Sequence, residues 1–226
     1  MTDYVDESLL KPGQTLACIG DSITYAPEGY VTTVCEVLAL RVPDNPPQVI
    51  NAGIGGDTVK QMLARFDDDV LAHNPDWVSI MAGVADTVYQ LLGRPDATTP
   101  EELGSTPKEF GQAVNEMITR TQAAGARVAL CTPNHFEYHW EGGDARLANR
   151  NIVDKTACLY EAAEQGDVLL VPTGEVLLRA AKEACRQGQR LLFTPDGFHP
   201  DEMAHAMMAL TFLAAFGYEL DLPQVQ

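Results

Sequence analysis

The sequence predicts an α/β protein, a three-layer α/β/α sandwich around a parallel sheet of about five strands. Three observations predict it. Short apolar runs alternate with longer segments of helical period along the whole chain. Those runs are almost continuously apolar and β-branched, as expected of parallel strands covered on both faces. The chain has 226 residues, of which 46% are hydrophobic and 21% charged. That is enough to bury one sizeable core, and no repeat, low-complexity tract or linker divides it. One domain over residues 1–226 is expected.

The strands are expected at TLACIG (15–20), QVINAGI (48–54), WVSIMAG (77–83), RVALCTP (127–133) and DVLLVPT (167–173). Helical periodicity falls near 28–41, 57–72, 107–124, 145–165 and 174–187. Asp57 is expected to cap the second of these helices, and Ser105 or Thr106 the third. A last helix follows Pro200, placed where a first turn tolerates proline. Strands joined through helices imply right-handed crossovers and a doubly wound sheet.

Open sheets of this kind bind ligands beyond the carboxyl ends of their strands. The loops that follow those ends therefore carry the functional expectation. They are GDSIT, GIGGDT, GVADT and the aromatic, histidine-containing PNHFEYHWEGGDA (133–145). The segment TPDGFHP (194–200) leads into the last helix.

Fifteen basic residues against 32 acidic give a formal net charge of −17. Such a field repels phosphate backbones and anionic membrane surfaces and favours neutral or cationic small molecules. Neither nucleic acid nor membrane is expected as a partner, and the oligomeric state is left open. The five cysteines are scattered with no C-x-x-C pair, so buried free thiols in a reducing compartment are expected. The acidic start MTDYVDESLLKPGQ lacks a basic region followed by an apolar run, and no stretch of 18 apolar residues occurs. A cytoplasmic location is the expectation.

Ser22 follows a strand and precedes a turn, which presents its hydroxyl at the sheet edge. A serine hydroxyl is a weak nucleophile unless a base takes its proton. By itself such a serine is more often a turn residue or helix cap. Asp196 and His199 form D-x-x-H, short enough for a carboxylate to steer one ring nitrogen while the other faces a serine. Pro195-Asp196-Gly197 also reads simply as a turn. GIGGDT lacks the third glycine of a dinucleotide loop because Thr58 stands there. Its backbone N–H groups at a helix start suit an oxyanion as well as a phosphate. His135 and His139, four apart, would share a helix face, but no third metal ligand stands at a matching spacing. No metal or cofactor is expected. Phe136, Tyr138 and Trp140 suggest an apolar or sugar-stacking wall, and Asp21, His135 and Trp140 are the candidate substrate-binding residues.

In order, ACIGDSIT, VINAGIGGDTV, WVSIMAGVAD and DGFHP resemble the blocks of the SGNH (GDSL-like) hydrolases over residues 15–216. The resemblance implies a flavodoxin-like arrangement of the sheet and a serine esterase needing no cofactor. Ser22 would be the nucleophile, His199 the base, Asp196 its orienting carboxylate, and Gly56 an oxyanion-hole donor through its N–H. The third block departs from the family pattern, because Ala85 stands where an oxyanion-hole Asn belongs. Loss of one such donor costs about 10²–10³ in rate. The expected function is hydrolysis of a short-chain acyl ester, in particular an acetyl ester of a carbohydrate. Ala85 raises the alternative of a degenerate domain that binds a carbohydrate or acyl ligand without efficient turnover. Acyl transfer or thioester hydrolysis would use the same nucleophile.

Overall fold

The computed structural model describes residues 8–94, 96–99 and 102–218. Among them, five parallel strands form one sheet: β1 (Thr15–Gly20), β2 (Gln48–Gly53), β3 (Trp77–Met81), β4 (Arg127–Cys131) and β5 (Val168–Val171). Their order is β2-β1-β3-β4-β5, the doubly wound order with its switch point between β1 and β3. Gly20 pairs with both Gly53 and Met81, Met81 pairs with Cys131, and Cys131 with Val171. The carboxyl ends therefore finish on one line, and the loops that follow them share one edge.

Side chains of successive strand residues point to opposite faces, and each face has its own core. Leu16, Cys18, Trp77 and Met81 pack with α2 (Tyr30–Arg41), α8 (Thr173–Arg186) and α9 (Glu202–Ala215). Ala17, Ile19, Val78 and Ile80 pack with α3 (Val59–Ala64), α6 (Pro107–Ala123) and the second half of α7 (Ala145–Gln165). Trp77 anchors the first layer, edge-on to Phe216 with centroids 4.8 Å apart and with the Arg127 guanidinium 4.2 Å from its ring centre. This is the expected three-layer sandwich. Only β3, at the centre, is buried at every position; β1 and β4 are buried after their first residues, Thr15 and Arg127. Gln48, Val49, Ile50 and Asn51 of β2 are partly or fully exposed, because β2 is an edge strand with one neighbour.

Three local expectations are corrected. Thr58, not Asp57, caps α3, through a capping box with Gln61; Asp57 instead pairs with Arg65 at 2.7 Å. The expected helix over 57–72 is broken into α3, α4 (Phe66–Asp69) and a 3-10 turn, Leu71–His73. At the first break the Arg65 guanidinium reaches Asp57, Asp69 and the Gly20 carbonyl. Third, GVADT is not a loop but the start of α5 (Val84–Leu92), entered through Gly83 at φ 121°. Thr106 caps α6, one of the two expected residues. The cysteines are free, but Cys18 and Cys131 alone are fully buried, while Cys35 and Cys185 are exposed. Among the described residues no helix is long and apolar enough to cross a membrane.

Candidate active site

Ser22 is the first residue of α1 (Ser22–Tyr25), a single turn that leaves β1 at the sheet edge. Asp21 caps it, its Oδ1 accepting from the Ile23 N–H at 3.0 Å. Asn51 braces the far end, donating to the Thr24 carbonyl at 2.7 Å. The turn is thus held by groups other than the Ser22 hydroxyl. That hydroxyl lies 2.9 Å from His199 Nε2, across 177 positions of sequence.

His199 Nδ1 lies 2.6 Å from Asp196 Oδ2. Asp196 Oδ1 accepts from the backbone N–H groups of Phe198 and His199 at 3.0 and 2.8 Å. Burial pushes the Asp196 carboxyl up, but the hydrogen bonds from His199 and Phe198 outweigh it and hold it below the usual carboxylate range. The carboxylate stays charged and orients the ring. An imidazole held so, with its second nitrogen against a hydroxyl, can take that proton as a nucleophile attacks.

The 133–143 loop supports this turn from behind. Asn134 donates to the Phe198 carbonyl at 2.9 Å, the Glu137 N–H donates to the Gly197 carbonyl at 2.7 Å, and His139 Nε2 lies 3.2 Å from the Pro195 carbonyl. Trp140 is only 6% exposed and packs on Phe136 and Phe198, with centroids 4.7 and 6.4 Å away. The expected sugar-stacking wall is therefore largely an internal brace. Tyr138 alone of its aromatics is exposed, stacked under the Arg190 guanidinium. His135 and His139 share no helix face, because 132–144 is irregular. His135 lines a separate cavity of about 130 Å³ with Phe193 and Thr194, away from Ser22.

Gly197 links Asp196 to this brace. Its φ is 98°, and a Cβ there would fall 2.6 Å from Trp140 Cα. Gly197→Ala is expected to cost about 1–2 kcal/mol of stability from the positive φ alone. Displacing the His199 turn should also lower turnover, by about 10² for a shift near 1 Å. Thermal melting and p-nitrophenyl acetate kinetics measure the two losses, and an unchanged melting temperature would contradict the close approach.

On the other side of Ser22, the 54–58 loop folds back on β1, the Ile54 N–H donating to the Gly20 carbonyl at 3.1 Å. Gly56 has φ 77°, and a Cβ added there would sit 2.7 Å from the Tyr89 hydroxyl. Ala85 lies in the first turn of α5, and its N–H points to Asp21 Oδ2 at 3.4 Å. Asp21 is 1% exposed and holds two backbone N–H groups, so it positions the site from beneath and does not face a substrate. Burial pushes its carboxyl up to about 6, against the pull of the Ile23 and Ala85 N–H groups.

Two buried charges beneath the site were not singled out in the sequence. Asp86 accepts from the Val59 N–H at 2.9 Å and the Ser105 N–H at 3.2 Å, tying α3 and the start of α6 to α5. Lys155, fully buried in α7, donates to Asn151, to Gln90 at 3.1 Å and to Thr87 at 3.4 Å. Burial pushes its ammonium down to about 8, while Asp86 opposes that shift. Asp86 had a signal, the last position of the third block. Lys155 had none, because a lysine in an amphipathic helix reads as a solvated residue.

Residues 18–207 match the model of the GDSL-like lipase/acylhydrolase family. An acetylxylan esterase of Geobacillus stearothermophilus is 29% identical over 221 residues, covering 92% of this chain and 95% of that protein. Among solved structures, that of Axe2, an acetylxylan esterase from Geobacillus stearothermophilus, aligns with a TM-score of 0.77 at 25% identity, covering 96% of this chain and all of the other. LAE5, an α/β hydrolase enzyme from the metagenome of Lake Arreo, Spain, gives 0.77 at 26% identity over 93% of this chain and 98% of its own. The family match runs from Cys18 in β1 into α9 and takes in every loop just described, and the chain belongs to the GDSL-like lipase/acylhydrolase family of carboxylic ester hydrolases.

Proposed function

We propose that the protein removes a short-chain acyl group, with acetyl on a carbohydrate as the preferred case, through Ser22, His199 and Asp196. The observation that carries this reading is the unbroken line from Ser22 Oγ to His199 Nε2 at 2.9 Å and from Nδ1 to Asp196 at 2.6 Å. His199 takes the Ser22 proton as Oγ attacks the acyl carbon. The N–H groups of Ser22 and Gly56 hold the tetrahedral oxyanion. On collapse the ester C–O bond breaks, Nε2 returns the proton to the leaving alcohol oxygen, and an acyl-serine remains. Water, deprotonated by the same imidazole, then releases the acid and regenerates Ser22. The acetyl and carbohydrate preference is supported by the acetylxylan esterases among the relatives. A fluorophosphonate probe tests the nucleophile, with stoichiometric labelling at Ser22 expected and peptide mapping to read it. A chain that only binds its ligand would stay unlabelled. Release of acetate from acetylated xylo-oligosaccharides tests the substrate.

Ala85 is the feature that favours a slower enzyme or a binder, since it offers no side-chain donor. Ala85→Asn is expected to raise kcat more than it alters KM, because an amide aimed at the oxyanion strengthens its bond as charge builds. The ceiling is about 10²–10³ for one donor. A rise below about threefold, roughly 0.7 kcal/mol, would reject the missing-donor account. The Tyr89 hydroxyl, 2.7 Å from where a Cβ on Gly56 would sit and one helical turn beyond Ala85, is the candidate for a substitute donor.

A further inference from the structure

A groove of about 860 Å³ opens between residues 26–28 and the first turn of α9. Ser22 and His199 do not themselves line it, but both walls continue directly from the segments that carry them. Pro200 follows His199 directly, and the Ala26 N–H donates to the Ser22 carbonyl at 3.1 Å. Ala26, Pro27, Pro200 and Met203 supply an apolar surface, while the charged residues lining it, Glu28, Asp201 and Glu202, are all acidic. Asp201 spends Oδ1 on capping α9 at the Ala204 N–H, at 2.8 Å, and keeps Oδ2.

His205 lines the same groove at 8% exposure. Its Nδ1 accepts from the Tyr30 N–H at 3.2 Å. Burial pushes the imidazole pKa down, so the ring is neutral near pH 7; Asp201 opposes this shift and His199 adds to it. With Nδ1 committed as an acceptor, the single ring proton resides on Nε2. No acceptor among the described residues takes it, and Nε2 is not sealed from solvent. The groove thus presents one oriented N–H donor among carboxylate acceptors over an apolar surface. A neutral polyhydroxyl molecule matches this pattern: its C–H faces cover the prolines and Met203, and its hydroxyls both donate and accept. An anionic alcohol would be repelled by the three carboxylates.

We infer that this groove holds the alcohol half of the ester, a neutral sugar, with His205 Nε2 donating to one of its hydroxyls beside Ser22 and His199. The inference rests on the proposed Ser22 esterase reading, and its test is built to separate the two. Met203→Trp, at a half-exposed position on the wall, narrows the groove from the solvent side. His205→Phe removes the Nε2 donor, and His205→Gln restores an amide acceptor and donor. For Met203→Trp and His205→Phe, KM for acetylated xylotriose should rise at least about tenfold more than KM for p-nitrophenyl acetate, with His205→Gln recovering part of the difference. Equal changes for both substrates would overturn the assignment. Xylotriose titrated into the Ser22→Ala protein, followed by the ¹⁵N shifts of the histidine side chains, gives the independent arm. A saturable shift at His205, weakened by Met203→Trp, supports the groove even if esterase activity proves absent. Binding with no response at His205, or no binding at millimolar sugar, would overturn it even in an active esterase.

Discussion

Ser22→Ala is expected to lower kcat for p-nitrophenyl acetate by at least about 10⁴-fold, and by up to about 10⁶ where nucleophile and base act as one unit. The nearest hydroxyl along the chain is not placed to substitute. Thr24 Oγ1, two residues on, is buried against the Tyr30 hydroxyl at 3.1 Å. The same change should leave the melting temperature nearly unaltered. The turn that carries Ser22 is capped by Asp21 and braced by Asn51, and the Ser22 hydroxyl meets only His199 among the described side chains. Truncating a half-buried hydroxyl with that single contact stays within about 0.5–1 kcal/mol. Undiminished turnover in a folded variant would assign the chemistry to another group. A large fall in melting temperature would give Ser22 a structural role instead.

Asp196→Asn is expected to lower kcat by about 10⁴ while the turn survives. The side-chain carbonyl can still accept from the Phe198 and His199 N–H groups, as Oδ1 does in the native residue. The change falls on the other oxygen. Asp196 Oδ2 accepts the Nδ1 proton at 2.6 Å, which leaves Nε2 bare toward Ser22. An amide NH₂ in its place donates to Nδ1, so the ring proton moves to Nε2 and the base is blocked. The loss should therefore appear in kcat, with fluorophosphonate labelling slowed in parallel and the fold intact by circular dichroism. An Asn variant that labels at the native rate would remove Asp196 from the mechanism.

The layered fold was legible because its signals are local. Continuous apolar runs mark β1 and β3, helical periodicity marks α6 and α7, and Thr106 caps α6 through a box written within four residues. The same is true of Asp196 and His199, whose three-residue spacing is itself the geometry of their contact. Where a polar residue sits in space was not legible. Asp57 and Thr58 both look like caps, and only the approach of Arg65 decides that Asp57 makes an ion pair while Thr58 caps the helix. Trp140 reads as a surface for sugars until Gly197 and Phe198 close over it. Asp21 turns inward because the N–H of Ala85, 64 residues away, is there to meet it. Lys155 is buried because Gln90, 65 residues away, and Asn151, one turn back, accept its protons.

The sequence by itself determined the five strands and the long helices between them, though not α5, and the serine, aspartate and histidine offered by the loops at the carboxyl edge. The tertiary structure alone decided that Ser22 and His199, 177 residues apart, meet at 2.9 Å, and that Asp21 and Trp140 support the site from within. The physical reason lies in range. Backbone propensity and hydrophobic period act over a few residues, whereas a buried polar side chain must find its partner wherever the sheet brings one.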